Sequence, residues 1–236
     1  MSKKNHSLFG KPNMKIESLF LSQKTRARYF RIVNPVGNLL ARIGIHPHVL
    51  SVTGLILSAA AGMVYSTGTF FWAAWILVIA GVCDTLDGQL ARQTQKTSPF
   101  GAFFDSFLDR YSDVFILAGL AYYYACGRGF LLMEENDAAC QSSPLTVFVI
   151  LMAITGSFMV SYARARAEGL GLDCRVGLMQ RSERITLLVI GSLLGSLPLV
   201  GPILMKTTLL ILAVSSNVTA LHRMLHVKNY LKKVSK

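Results

Sequence analysis

Six long apolar runs, separated by short polar segments, dominate the hydrophobic pattern of this 236-residue chain. A helix that crosses a bilayer needs about 20 mostly apolar residues. The pattern therefore predicts an all-α integral membrane protein with six transmembrane helices. We place these helices at residues 49–65, 70–91, 102–126, 145–162, 185–199 and 203–221.

A basic segment precedes the first apolar run. Residues 1–45 carry nine Lys or Arg and one acidic residue, and residues 16–21 and 29–40 mix apolar and basic positions at roughly helical spacing. This pattern is typical of an amphipathic helix on the membrane surface. We expect residues 1–45 to form a basic cytoplasmic N-terminus with a juxtamembrane helix, residues 46–226 to form the six-helix domain, and residues 227–236 to form a basic cytoplasmic tail.

The composition supports the membrane assignment, and the distribution of basic residues predicts the orientation of the protein in the membrane. The chain is 52% hydrophobic and 15% charged, whereas a soluble domain usually carries about 25% charged residues. A net charge of +12 would suit a nucleic-acid partner, but 22 of the 24 Lys and Arg cluster at the termini and in or beside two of the links between runs. That distribution follows the positive-inside rule. We therefore expect a multi-pass protein of the cell (inner) membrane, with both termini cytoplasmic and anionic lipids, not nucleic acid, as partners.

Five aspartates are concentrated at the end of the second apolar run and the start of the third, where unpaired carboxylates are costly. Asp84 and Asp87 share one helical face, and Asp105 and Asp109 lie one turn apart on the next helix. Because the link between these helices is short, they can run as antiparallel neighbours and bring four carboxylates together. Asp113 lies one turn further into the span, and we expect it to have a structural role.

Four converging carboxylates cannot all ionise unless a cation joins them. Carboxylate sites without His or Cys suit Mg²⁺ or Mn²⁺, and four ligands are enough for two ions. Two such ions suit in-line displacement at phosphorus. Two other interpretations stay open, namely the ion pathway of a cation-coupled membrane transporter and structural pairing of the aspartates with nearby arginines.

The aspartate stretch resembles the signature of the CDP-alcohol phosphatidyltransferases. The signature positions are matched in type and spacing by Asp84, Asp87, Gly88, Ala91, Arg92, Gly101, Asp105 and Asp109. The resemblance implies six membrane helices, a homodimer, and attack of an alcohol on the lipid-side phosphorus of CDP-diacylglycerol with release of CMP. It also implies that the four aspartates bind the metal and that Asp109 is the catalytic base.

The same resemblance implies a pocket for the CDP-lipid donor. Gly88, Ala91 and Arg92 would line it, and Ser98 would add a contact. The segment from Pro47 to Ser51 is similar to the family's cytidine-contacting segment, with His48 in place of Asn or Asp and Ser51 in place of Thr. Alternatively, these residues only begin and cap a helix at Pro47.

Arginines near the fourth and fifth runs predict a second anion site, which would suit the phosphate of a phosphorylated acceptor. The Ser161-to-Glu168 and Glu183-Arg184 elements resemble prokaryotic phosphatidylinositol phosphate synthases, whose acceptor is inositol 1-phosphate and which usually have Lys at the position of Arg164. The expected acceptor-phosphate residues are Ser161, Arg164, Arg181, Arg184 and Arg223. Phosphatidylglycerophosphate synthase, with glycerol 3-phosphate as acceptor, remains an alternative, as does a purely topological role for the arginines.

Overall fold

The computed structural model describes residues 23–125, 142–174, 176–177 and 179–234, and all regular secondary structure within them is helical. Each of the six apolar runs coincides with a helix, and a further helix precedes them. The all-α prediction is therefore confirmed, whereas segment 16–21 of the predicted N-terminal helix lies outside the described residues. The helices are α1 (Gln23–Ile43), α2 (Pro47–Ser66), α3 (Phe70–Gln93), α4 (Pro99–Tyr124), α5 (Pro144–Gly169), α6 (Arg181–Gly195) and α7 (Gly201–Val234).

Within the described ranges, four helices are long and apolar enough to cross a membrane, namely α2, α3, α5 and α7. The helix α4 carries several charged residues, and α6 has only 15 residues. A capping box between Gln180 and Glu183 begins α6 at Arg181, four residues before the predicted start of that span. The apolar helices support a multi-pass membrane protein, and a count of six crossings stays a prediction.

The outward faces of the long helices are apolar. Large apolar side chains are exposed on all seven helices, among them Ile56, Trp72, Phe103, Phe148 and Leu210. In water, so much contiguous apolar surface would drive association. Within a bilayer these side chains contact lipid, and the exposed apolar surface agrees with the membrane assignment.

Small residues allow the helices to approach closely. A Cβ built on Gly119 of α4 would lie 1.9 Å from the carbonyl oxygen of Gly62 on α2, so these two backbones touch. At a second crossing, a Cβ on Gly156 of α5 would lie 2.7 Å from the Asn217 side chain of α7. Close approach at small residues is a main source of helix association in membranes.

The helices α3 and α4 face each other, as the short link between them allows, without packing backbone against backbone. Both helices pack on α2, but no Cα atom of Phe70–Gln93 lies within 8 Å of a Cα atom of Pro99–Tyr124. Side chains that face each other across the gap, not the helix backbones, connect the two helices. Carboxylates and their counter-ions require this space, which directly packed helices would not leave.

The helix α1 lies against the C-terminal end of α3. The Gln89 side-chain amide donates to Asn34 at 2.8 Å, and that of Gln93 donates to Asn38 at 3.0 Å. Beside these pairs, Val33 belongs to a buried apolar cluster with Leu50, Leu86 and Leu90. These contacts hold α1 beside the half of α3 that carries its two aspartates.

Candidate active site

Three carboxylates come together across the gap between α3 and α4. One oxygen from each of Asp84, Asp105 and Asp109 lies within 4.8 Å of the others. The helix α3 supplies the first residue, and α4 supplies the other two from one face. The side chains of Asp84 and Asp109 are 35% and 18% exposed, so the group borders an accessible space and not a sealed core.

The guanidinium of Arg181 lies between two of these carboxylates. Its Nη1 atom donates to Asp84 and lies 2.8 Å from an oxygen of Asp109. Its Nε atom is buried and has no hydrogen-bond partner among the described residues. The sequence predicts Arg181 as a ligand of the acceptor phosphate, whereas the structure places it against two predicted metal ligands.

The fourth predicted ligand, Asp87, lies outside this group of three. Its Oδ2 atom accepts a 2.6 Å hydrogen bond from the Ser51 hydroxyl, which joins α3 to α2. Asp87 and Asp105 also line a cavity beside the group. Asp105 therefore belongs to both the carboxylate group and the cavity wall.

The donor chemistry of the group fits a hard divalent cation. Three carboxylate oxygens within 4.8 Å of one another can share an ion, and the group contains no His or Cys. Oxygen-only sites of this kind suit Mg²⁺ or Mn²⁺ better than zinc. The guanidinium of Arg181 between the carboxylates is independent evidence that this point favours positive charge. Asp84, Asp105 and Asp109 would hold the ion.

A cavity of about 230 Å³ lies beside the carboxylates, between the start of α2, the end of α3 and the start of α4. Lys96, in the link between α3 and α4, also lines this cavity, although the sequence pattern does not distinguish it from a topology-setting lysine. The structure brings together every residue that the sequence assigns to the CDP-lipid donor, namely His48, Ser51, Gly88, Ala91, Arg92 and Ser98.

Helix starts shape the wall of this cavity. Pro47 opens α2, and the imidazole of His46 accepts a hydrogen bond from the backbone N–H of His48. The Ser98 hydroxyl accepts from the backbone N–H of Gly101 at 2.9 Å and caps α4. The capping and cavity-lining interpretations are therefore compatible, because the residues at these helix starts also line the cavity.

A larger cavity, of about 840 Å³, lies between α4 and α5. Ser161 and Arg164 of the predicted acceptor set line it, together with several aromatic side chains. Arg110 also lines it, and its Nη1 atom lies 3.8 Å from the Asp109 carboxylate. The sequence analysis did not assign Arg110, although its position directly after Asp109 was a usable signal. Ala102 of α4 lines both cavities.

The other predicted acceptor residues are buried and bound to protein groups. Arg184 donates to Asp113 at 2.8 Å. Arg223 donates to the carbonyl oxygens of Val176 and Val160 at 2.8 and 2.6 Å. Ser161 and Arg164 of the acceptor set therefore line the larger cavity. Arg184 and Arg223 instead join helices and a loop.

Comparison with known proteins gives a consistent result. A family model described as CDP-alcohol phosphatidyltransferase matches residues 44–226. The archaetidylinositol phosphate synthase of Methanothermobacter thermautotrophicus is 35% identical over 202 residues, which are 86% of this chain and 91% of that protein. The phosphatidylinositol phosphate synthase of Streptomyces avermitilis is 32% identical over 219 residues, which are 90% of this chain and 84% of that protein.

Solved structures agree with the sequence relatives. The phosphatidylinositol phosphate synthase of Mycobacterium tuberculosis with CDP-DAG bound superposes with a TM-score of 0.70 at 29% identity, covering 84% of this chain and 94% of that one. The same enzyme in complex with manganese and citrate gives a TM-score of 0.70 at 28% identity, covering 83% and 88%. Taken with the family match and the carboxylate site, these similarities establish that the chain belongs to the CDP-alcohol phosphatidyltransferase family.

Proposed function

We propose that this protein transfers the phosphatidyl group of CDP-diacylglycerol to inositol 1-phosphate and releases CMP. One observation carries the proposal most strongly. The three carboxylates lie beside a cavity lined by the donor motif, and α4 separates that cavity from a second one lined by Arg110 and Arg164. The names of the relatives from Streptomyces and Methanothermobacter support a phosphorylated inositol as the acceptor.

In this proposal the smaller cavity receives the cytidine diphosphate, and the lipid tails remain in the bilayer. Gly88 and Ala91 present little side-chain bulk, so a base or phosphate can approach α3 closely. A Cβ on Gly88 would lie 3.5 Å from the Arg92 guanidinium, which leaves that charge beside the open face of the helix. Arg92 and Lys96 supply two positive charges for the diphosphate.

Asp109 takes the proton of the acceptor hydroxyl as the new phosphorus–oxygen bond forms and the bond to CMP breaks. It suits this role because it belongs to the carboxylate group and lies 3.8 Å from Arg110, which lines the larger cavity. Two divalent ions held by Asp84, Asp87, Asp105 and Asp109 would neutralise charge on the phosphates and on departing CMP. Asp87 and Asp105, which line the donor cavity, support a second ion on that side.

The larger cavity receives the phosphorylated acceptor. Arg164, Arg110 and Ser161 can contact its phosphate directly, because all three line the cavity. Arg184 and Arg223 act on the acceptor through the helices that they hold in place. A phosphate bound by two arginines would place the reacting hydroxyl toward Asp109.

We propose six membrane crossings, cytoplasmic termini, a cell (inner) membrane location and a homodimer. The basic links between apolar helices support the orientation, and the family resemblance supports the dimer. Cysteine accessibility on either side of the membrane, in intact and permeabilised cells, tests the topology. Light scattering of the detergent-solubilised protein tests the dimer.

The acceptor is tested with purified full-length protein in lipid nanodiscs containing CDP-diacylglycerol and Mg²⁺ or Mn²⁺. Inositol 1-phosphate, glycerol 3-phosphate, inositol and serine are offered separately, and CMP release and the lipid product are measured. We expect inositol 1-phosphate to react best. A preference for glycerol 3-phosphate would make the protein a phosphatidylglycerophosphate synthase, and reaction with uncharged acceptors alone would contradict the arginine-lined site. Absence of CMP release with every acceptor would contradict the proposed transfer reaction.

The relative from Methanothermobacter gives a specific reason to test a second donor, because its name denotes an archaetidyl product. An ether-linked CDP lipid and an ester-linked one present the same cytidine diphosphate to the smaller cavity. We expect CDP-diacylglycerol to react, and the ratio of kcat/KM for the two donors decides which lipid is preferred.

A further inference from the structure

We propose that the guanidinium of Arg181 occupies a cation position in the carboxylate group and yields that position to a divalent ion. This inference rests on the proposed function, because it concerns the same metal site.

Arg181 contacts the carboxylates in the way that a bound metal cation contacts its ligands. A single nitrogen, Nη1, contacts both Asp84 and Asp109 and lies between two helices that do not touch each other. An arginine that pairs with a single carboxylate more often donates two parallel hydrogen bonds, from two nitrogens to the two oxygens of that carboxylate. Because a divalent ion needs oxygens of the same two aspartates, the ion and the guanidinium compete for one position.

The two carboxylates are the main contacts that hold the side chain of Arg181. Among the described residues, its hydrogen bonds and ion pairs are made to these two carboxylates, and its Nε atom has no hydrogen-bond partner. Arg181 is the first residue of α6, but the capping box of that helix is formed by Gln180 and Glu183. Movement of Arg181 therefore leaves the helix start intact.

Arg184, one turn further along α6, shows the opposite arrangement. Its side chain is 8% exposed, pairs with Asp113 and donates to the carbonyl oxygen of Met179. These contacts hold Arg184 in place from several sides. The two arginines of one helix turn therefore differ in function: Arg184 anchors α6, and Arg181 moves at its end.

Displacement of Arg181 links its position to metal binding. The guanidinium neutralises repulsion between Asp84 and Asp109, and a divalent ion bound to the same oxygens would take over that role. Because linkage is reciprocal, a residue that competes with the metal weakens metal binding, and its removal strengthens it.

The first test measures Mn²⁺ binding by electron paramagnetic resonance, with full-length protein in nanodiscs and no substrate. We expect Arg181→Gln to bind Mn²⁺ about tenfold more tightly than wild type. The matched control is Arg166→Gln, which removes an exposed arginine near the end of α5 and should leave binding unchanged. Equal or weaker binding by Arg181→Gln would overturn the inference.

Asp109→Asn separates this inference from the proposed function. Loss of Mn²⁺ binding in that variant supports the metal site, even if Arg181→Gln shows no gain in affinity. Wild-type binding by Asp109→Asn would overturn both the metal site and the competition that depends on it.

A second test uses wild-type protein and does not depend on whether a variant folds. Phenylglyoxal modifies accessible arginines, and mass spectrometry quantifies the modification at each position. We expect Mn²⁺ to increase modification of Arg181 several-fold and to leave Arg166 unchanged. Unchanged or lower modification of Arg181 in the presence of Mn²⁺ would contradict the displacement.

Discussion

The donor side and the acceptor side of this protein are built in different ways. All six predicted donor residues line one cavity, and they come from a single continuous stretch, residues 48–98. The five predicted acceptor residues come from three helices, and the structure divides them. Ser161 and Arg164 line the larger cavity, Arg181 contacts the carboxylates, and Arg184 and Arg223 are buried.

This difference reflects how the two sites are encoded. Within one helix, residue spacing determines which side chains share a face. Between helices that are far apart in sequence, tertiary packing decides whether an arginine reaches a cavity, a carboxylate or a backbone carbonyl. The donor site and the acceptor site therefore respond differently to substitution, and four predictions test that difference.

The largest effect on turnover is expected at Asp109, which takes part in both proposed sites. Asp109→Asn removes the proposed base and one metal ligand, and kcat should fall by about 10³-fold. The assay is CMP release with saturating donor and acceptor. Because the substitution relieves repulsion in a crowded group of carboxylates, the thermal melting temperature should fall little. Turnover near the wild-type rate would contradict the assignment of Asp109 as the base.

The next effect concerns Asp113, one turn from Asp109 on α4. Asp113→Ala leaves the buried guanidinium of Arg184 without its carboxylate, which should reduce the free energy of unfolding by about 3–5 kcal/mol. Thermal unfolding in detergent measures the loss. The double variant Asp113→Leu with Arg184→Met should regain much of it, because both charges are then absent. Full stability of Asp113→Ala would show that the pair contributes little.

A smaller and more selective effect is expected in the larger cavity. Arg164→Gln removes a charged donor to the acceptor phosphate, and the KM for inositol 1-phosphate should rise about 10- to 100-fold. The KM for the CDP lipid should not change. Arg166→Gln, two residues away and exposed, is the matched control. Equal increases in both KM values would mean that Arg164 does not distinguish the acceptor from the donor.

The smallest effect is expected at Gly101 in the donor cavity. A Cβ there would lie 3.1 Å from the Ser98 hydroxyl and 3.4 Å from the His48 ring, so Gly101→Ala should displace these side chains slightly. We expect the KM for the CDP lipid to rise about fivefold, which corresponds to about 1 kcal/mol of overpacking. The control is Gly81→Ala, whose Cβ would meet only Ile185 at 3.9 Å. An acceptor-specific change would contradict the assignment of this cavity.

Much of the fold follows from the sequence, because apolar length and the spacing of small and acidic residues are local properties. They predict the helices from α2 to α7 and the common face of Asp105 and Asp109. The start of α6 shows where apolar length alone is insufficient. There the capping residues Gln180 and Glu183, and not the apolar run, set the helix boundary.

The errors and omissions arise from contacts between distant parts of the chain. The short link predicts that α3 and α4 are near each other, but it does not predict that the Gly62–Gly119 contact packs α4 on α2. Nothing local distinguishes the buried Arg184 from Arg164, which lines the larger cavity, since both arginines border an apolar helical segment. Arg184 is neutralised within the protein because folding places Asp113 beside it.

The confinement of the donor cavity to residues 46–105 has an evolutionary consequence. Under the proposed function, substitutions in α5 or α7 would alter recognition of the second substrate and leave the residues of the donor cavity and the three carboxylates unchanged. Selection for a new lipid headgroup would then act mainly on one part of the gene, while the part that encodes the donor cavity and the carboxylates remains under constant constraint. A family with this division can diversify its products and retain a single reaction.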